Sequence, residues 1–176
     1  NDSFESGRSL TVGIDYKKEM LKDVNRYFEL KLATVFRDKE EDSIPNNSTI
    51  DKKNSYLFGT LDFQNSEIFN LEYNFSVNNK LNNVSYHDLD LEFSINNFVT
   101  NFNFIEEGDA LGTAHIVESK FKYQFDQSNF LSFKTRRNRK LNLTEFYDLV
   151  YEYKNDCLIA SVKYKKKYYS DRDLKP

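Results

Sequence analysis

The chain has 176 residues, 39% of them apolar, a net charge of −3 and a mean hydropathy of −0.74. That length fits one domain, the near-neutral charge argues against bulk nucleic-acid binding, and no run approaches the roughly 18 apolar residues of a transmembrane helix. Aromatic residues reach 16%, as 16 Phe and 12 Tyr without Trp, and this bias favours pleated sheet over helix.

The sequence starts without an initiator Met or a signal peptide. It is expected to be an internal piece of a longer chain. In chain order, Leu10, Val12, Ile14 and Tyr16 alternate with Thr11, Gly13, Asp15 and Lys17. Lys17 to Arg26 allows one helical turn at most. Phe28, Leu30 and Leu32 lead to Phe36 across a polar Thr34, and a further strand is expected near residues 55–64. Phe69, Leu71, Tyr73, Phe75 and Val77 then face away from Asn70, Glu72, Asn74, Ser76 and Asn78. This period of two marks a strand with one apolar and one wet face.

The pattern continues. Leu89, Leu91, Phe93 and Ile95 oppose Asp88, Asp90, Glu92 and Ser94, and Phe98, Phe102 and Phe104 share a face with Thr100. Val117, Phe121, Tyr123 and Phe125 oppose Glu118, Lys120, Lys122 and Gln124, and Leu131 and Phe133 oppose Ser132, Lys134 and Arg136. Segments near 143–153 and 157–169 complete an antiparallel meander of about ten strands, each about 9–13 residues long. Strands in soluble proteins run about 5–6 residues, whereas strands that cross a bilayer need about 9–11.

Connectors alternate as well. Short links fall at Gln64–Glu67, Asn96–Asn97, Asp126–Asn129 and Lys154–Asp156, with Lys18–Asn25 somewhat long for that side. Longer ones fall at Asp38–Asn54, Asn78–Asn83, Glu106–His115 and Asn138–Asn142. Outer-membrane barrels have this rhythm, with short periplasmic turns and longer extracellular loops. Pro45 lies in the longest loop, consistent with proline's exclusion from paired strands. A transmembrane barrel is therefore one reading of this all-β pattern. Soluble β-sandwiches, lipocalin-like barrels and lipid-wrapping sheets alternate in the same way and stay open on pattern alone.

Chemistry-bearing residues are sparse. His87 lies beside Asp88 near a strand end and His115 falls in a long loop, so catalysis is not expected and solvated histidines are the better reading. One Cys and two dispersed His offer no metal-ligand spacing, and five scattered Gly form no phosphate loop. No cofactor is expected. Arg136, Arg137, Arg139 and Lys140 form the strongest charge cluster. With Lys165 to Lys167 it falls on the long-loop rim, where phosphate contact is one reading and a solvated loop another. Glu72, Asn74, Asp90, Glu92, Lys120, Lys122 and Lys134 would line a hydrated lumen. They are mixed in sign, so no ion selectivity is argued from them. Tyr147, Tyr151, Tyr153, Tyr164 and Tyr168 suit headgroup depth as well as ordinary strand positions.

The segment from Ser132 to Pro176, and above all "TRRNRKLNLTEFYDLVYEYKNDC" followed by "KYYSDRDLKP", resembles the C-terminal part of the LptD family of lipopolysaccharide-assembly proteins. "NNFVTNFNFIEE", Asn96 to Glu107, is similar to an upstream hairpin arm of that family. The likeness covers about the last 80 residues and is topological before that. The resemblance implies a large outer-membrane barrel holding a plug lipoprotein (LptE-like) and fed by a periplasmic bridge (LptA-like). It further implies transport of lipopolysaccharide to the outer leaflet. Residues 1–176 would then be the C-terminal barrel portion, with a periplasmic N-terminal domain, earlier strands and a closing strand outside it. The family bonds cysteines near its last turn to its own periplasmic domain, which implies that role for Cys157. Members commonly carry adjacent cysteines there, whereas this chain has Asp156-Cys157. A plain porin or receptor barrel, and a soluble β-rich binding module, are the other expectations.

Overall fold

A computed structural model of the chain describes residues 7–44, 49–108 and 111–168. Pro45 and the terminal stretch from Tyr169 to Pro176, which carries much of the "KYYSDRDLKP" similarity, lie outside the described residues. Ten strands follow one another: β1 (Ser9–Met20), β2 (Asp23–Arg37), β3 (Leu57–Asn65), β4 (Phe69–Val77), β5 (Val84–Ile95), β6 (Phe98–Glu107), β7 (His115–Gln124), β8 (Asn129–Asn138), β9 (Leu143–Lys154) and β10 (Ile159–Lys167). They form one antiparallel sheet in sequence order. The all-β meander expected from the alternation is thus the observed architecture. At 9–15 residues, the strands are as long as the pattern implied, and β2 is longer.

Two expectations are corrected. The connector expected over Lys18–Asn25 is shorter, because β1 runs on to Met20 and β2 starts at Asp23, leaving a two-residue turn. Lys17 stays in the strand by pairing with Glu19 at 2.7 Å on its own face. His115 is not a loop residue but opens β7, in register with Glu106.

The register keeps every apolar set on one side. Tyr16, Leu30, Leu61 and Tyr73 form one cross-strand row that continues through Leu89, Phe104 and Val117, and Ile14 and Leu32 begin the next, through Gly59 and Phe75. A one-residue slip anywhere would reverse the two sides, and the bulges at Glu19/Met20, Ser76/Val77 and Arg136/Arg137 all sit at strand ends. Among the described residues the sheet is a single layer with no second layer against it. Among the described residues no hydrophobic side chain is buried, whereas Ser76, Ser85, Thr49 and Asp51 are. Ile14 is 67% exposed, Tyr164 60% and Val162 73%. The exposed surface is 12713 Å², against roughly 9,000 Å² for a globular chain of this mass. Among the described residues nothing covers the apolar side.

Strand ends alternate between tight and longer connectors. Leu21–Lys22, Ser66–Ile68, Asn96–Asn97, Phe125–Ser128 and Asn155–Leu158 close one edge of the sheet. Asp38–Tyr56, Asn78–Asn83, Gly108–Ala114 and Arg139–Asn142 close the other, although the last is no longer than two of the tight turns.

Candidate functional site

Three features are built by this sheet: an apolar face, a polar face and a cluster where the apolar face meets the longer connectors. On the apolar face the charged residues sit only at the strand ends. Lys18 and Arg26 lie towards the tight turns, and His87, Glu106, His115, Arg137 and Lys166 towards the longer connectors. Between them β6 presents Phe98, Thr100, Phe102 and Phe104, roughly 20 Å of uncharged strand at about 3.4 Å per residue. Aromatic rings pack across it, with Phe121 on Phe133 at 5.0 Å and Phe133 by Tyr147 at 6.0 Å. Tyr147, Tyr151, Tyr153 and Tyr164 all lie on this face. They are spread along the strands rather than gathered at one depth.

Glu72, Asn74, Asp90, Glu92, Lys120, Lys122 and Lys134 all fall on the opposite, polar face. The Asn74 amide donates to Glu72 at 2.9 Å, and the Thr60 hydroxyl donates to Asn74 at 2.9 Å. Lys134 reaches Glu118 at 2.7 Å.

The basic cluster divides. Arg136 is on the polar side, paired with Glu145 at 3.0 Å. Arg137 stands opposite Val117 on the apolar side and donates to Asn142 at 2.5 Å. Arg139, in the β8–β9 turn, bridges to Glu106 at 3.3 Å and lies 5.5 Å from the Phe104 ring. Lys140 is exposed in the same turn. Arg139 thereby joins a group that residue spacing alone did not reveal. His115 Nδ1 is 3.9 Å from Glu106, and Tyr73 Oη shares a 2.7 Å hydrogen bond with His87 Nδ1. Below that bond Leu61, Leu71, Leu89 and Phe104 line an open apolar groove. The only signal for this group was parity, since residues 87, 106, 115 and 137 fall on the apolar side of their strands.

Cys157 is exposed and free at the opposite edge, in the β9–β10 turn. Asn155 Oδ1 accepts from the backbone N–H of Cys157 at 3.0 Å and of Leu158 at 2.7 Å. This side-chain-capped turn holds the thiol outside the sheet. Asp126 builds the neighbouring tight turn in the same way, accepting from the N–H of Ser128 at 2.8 Å and of Asn129 at 2.9 Å. These bonds hold its carboxyl below the usual carboxylate range. In the longest connector, Lys52 is held above its ordinary value by its hydrogen bond to Asp51 at 2.8 Å.

Fold and faces together define an amphipathic antiparallel meander whose two edge strands, β1 and β10, have outer edges unpaired among the described residues. No protein-family model matches the chain, and no curated protein matches it.

Proposed function

We propose that this chain is part of a large transmembrane β-barrel of a Gram-negative outer membrane, in a protein that delivers lipopolysaccharide to the outer leaflet. The observation that carries the barrel is the uncharged central band of the apolar face, bounded by charge at the longer connectors and, on β1 and β2, at the tight turns. A bilayer covers such a band and water does not. Edge strands with free backbone groups cannot persist in hydrocarbon, so β1 and β10 pair with further strands of the same barrel. The exposed apolar side disfavours the soluble binding module. Lipopolysaccharide as cargo rests on the LptD resemblance of Ser132 to Pro176, and so do a plug lipoprotein and a periplasmic bridge as partners.

In this reading no bond of the cargo is made or broken. The polar face lines a hydrated lumen for the headgroup, while the acyl chains travel outside it in lipid. The tight turns face the periplasm, placing Cys157 where a disulfide to a periplasmic domain forms in an oxidising compartment. Arg137, Arg139 and Lys140 then sit at the outer rim at the depth of lipopolysaccharide phosphates, with Arg136 on the lumen side. A passive porin or receptor barrel would have the same two faces and lack the cargo.

Depleting the full-length parent separates these. Loss of newly made lipopolysaccharide from the cell surface, with its accumulation inside the envelope, is expected. Unchanged surface lipopolysaccharide together with reduced uptake of small solutes would leave the porin.

A further inference from the structure

The polar face is polarised across its strands. Asp62 on β3, Glu72 on β4 and Asp88, Asp90 and Glu92 on β5 lie on it, and β3–β6 contain no Lys or Arg. The hydrogen bonds to these carboxylates come from neutral donors. Asn103 donates to Asp88 at 3.2 Å and Asp90 at 2.9 Å, Asn101 to Glu92 at 2.5 Å and Tyr86 to Asp88 at 3.3 Å. Amides and phenols satisfy a carboxylate's lone pairs without cancelling its charge, so this wall stays negative.

Across β7–β10 the balance reverses. Lys120, Lys122, Lys134, Arg136, Lys163 and Lys165 share the polar face with Glu118, Asp148 and Glu152. Lys163 and Lys165 divide one carboxylate, Asp148, at 3.1 and 3.7 Å. Among the described residues Lys120 and Lys122 have no carboxylate partner. Lys120 stands between Asn101 and Lys134, and Lys122 lies 4.7 Å from the Phe130 ring. The whole chain follows the same division. Residues 54–119 contain ten acidic residues and one basic one, Lys80, whereas residues 120–168 contain twelve basic and five acidic. From β4 to β8 the sheet spans about 19 Å at roughly 4.8 Å per strand. That exceeds the Debye length of about 8 Å at physiological salt, so a solute at β4 or at β8 feels chiefly the charge of its own wall.

We propose that the β7–β10 wall is the anion-binding side of this face, a track for a phosphate-bearing saccharide, and that the β3–β6 wall excludes it. Charge complementarity selects this occupant: lysine and arginine supply charge-assisted hydrogen bonds to phosphate, while five carboxylates repel it. The inference rests on the reading that the polar face lines a hydrated lumen.

The test uses the full-length protein in purified outer membranes, with Asn74→Cys on the acidic wall and Ser132→Cys on the basic wall, made in separate proteins. Labelling of the unsubstituted protein is the baseline. Each thiol is modified by a quaternary-ammonium and by a sulfonate methanethiosulfonate, with and without inositol hexakisphosphate as a soluble polyanion. The ratio of cationic to anionic rates is expected to be about tenfold or more higher at Asn74→Cys. Inositol hexakisphosphate is expected to slow modification at Ser132→Cys alone. Equal ratios at two reactive sites would overturn the polarised wall and leave the lumen standing. Equal protection of both sites, or of neither, would overturn the anion track. No reaction at either site would overturn the lumen and this inference together.

Discussion

Phe75 lies with its ring over the Cα of Gly59, its cross-strand partner in the β3–β4 pair. A Cβ placed at residue 59 would come within 2.2 Å of the ring. The glycine therefore gives the aromatic its seat on the apolar face, and the ring covers backbone that glycine leaves bare. Gly59→Ala is expected to push the ring off its site and to destabilise the folded protein by about 1–3 kcal/mol. Gly59→Ala combined with Phe75→Leu should recover part of that. Urea midpoints of the folded full-length protein check it, and an unchanged midpoint for the single variant would contradict the contact.

Asp126 ties the β7–β8 turn by accepting hydrogen bonds from Ser128 and Asn129. Its carboxyl is held below its ordinary value chiefly by the Ser128 N–H. A depressed folded-state value means that the ionised form stabilises the turn. The contribution is fully present above the unfolded value, near pH 4, and is lost as pH falls through the lower folded value. Amide exchange at Ser128 and Asn129 should therefore keep the same protection from pH 7 to about pH 5, once intrinsic rates are removed. It should fall in more acid solution, and Asp126→Asn should abolish that dependence. A loss of protection already between pH 7 and pH 5 would mean that another group governs the turn.

Cys157 is exposed, and its side chain contributes nothing to the turn that Asn155 caps. Cys157→Ser should leave assembly of the barrel intact. In the full-length protein from isolated outer membranes, reduction should shift gel mobility, and the shift should vanish in Cys157→Ser. Membrane localisation without any thiol-dependent shift would keep the barrel and remove the domain tether.

Much of the fold was legible because a strand's side chains alternate strictly. Ile14, Leu71, Phe102 and Phe121 could each be assigned a side from neighbours alone, and the register joined those sides without a break. The β1–β2 turn was obscured by Lys17, Lys18, Glu19 and Lys22, a polar run that reads as a loop. Lys18 reaches the apolar side only at the strand end, and Lys17 is matched by Glu19. The division of Arg136 from Arg137 follows from their adjacency in a strand, but reading them as one basic cluster hid it. The bulge beside them and the pairing of Arg139 with Glu106 needed the register. The charge asymmetry of the polar face was missed for a related reason. Taken as one set, Glu72, Asp90, Lys120 and Lys134 are mixed in sign, which hid that the acids precede the bases along the chain and that a sheet in chain order keeps them apart.

The most direct test of the central claim is nitroxide scanning of β6, one label at a time from Phe98 to Ile105, in the full-length protein reconstituted in lipid vesicles. Oxygen, which concentrates in lipid, and a water-soluble nickel chelate should relax alternate positions. Labels at Phe102 and Phe104 should respond to oxygen, and labels at Asn101 and Asn103 to the chelate, with a period of two. Equal access of the chelate to both sets would contradict a lipid-facing apolar side and, with it, the transmembrane barrel.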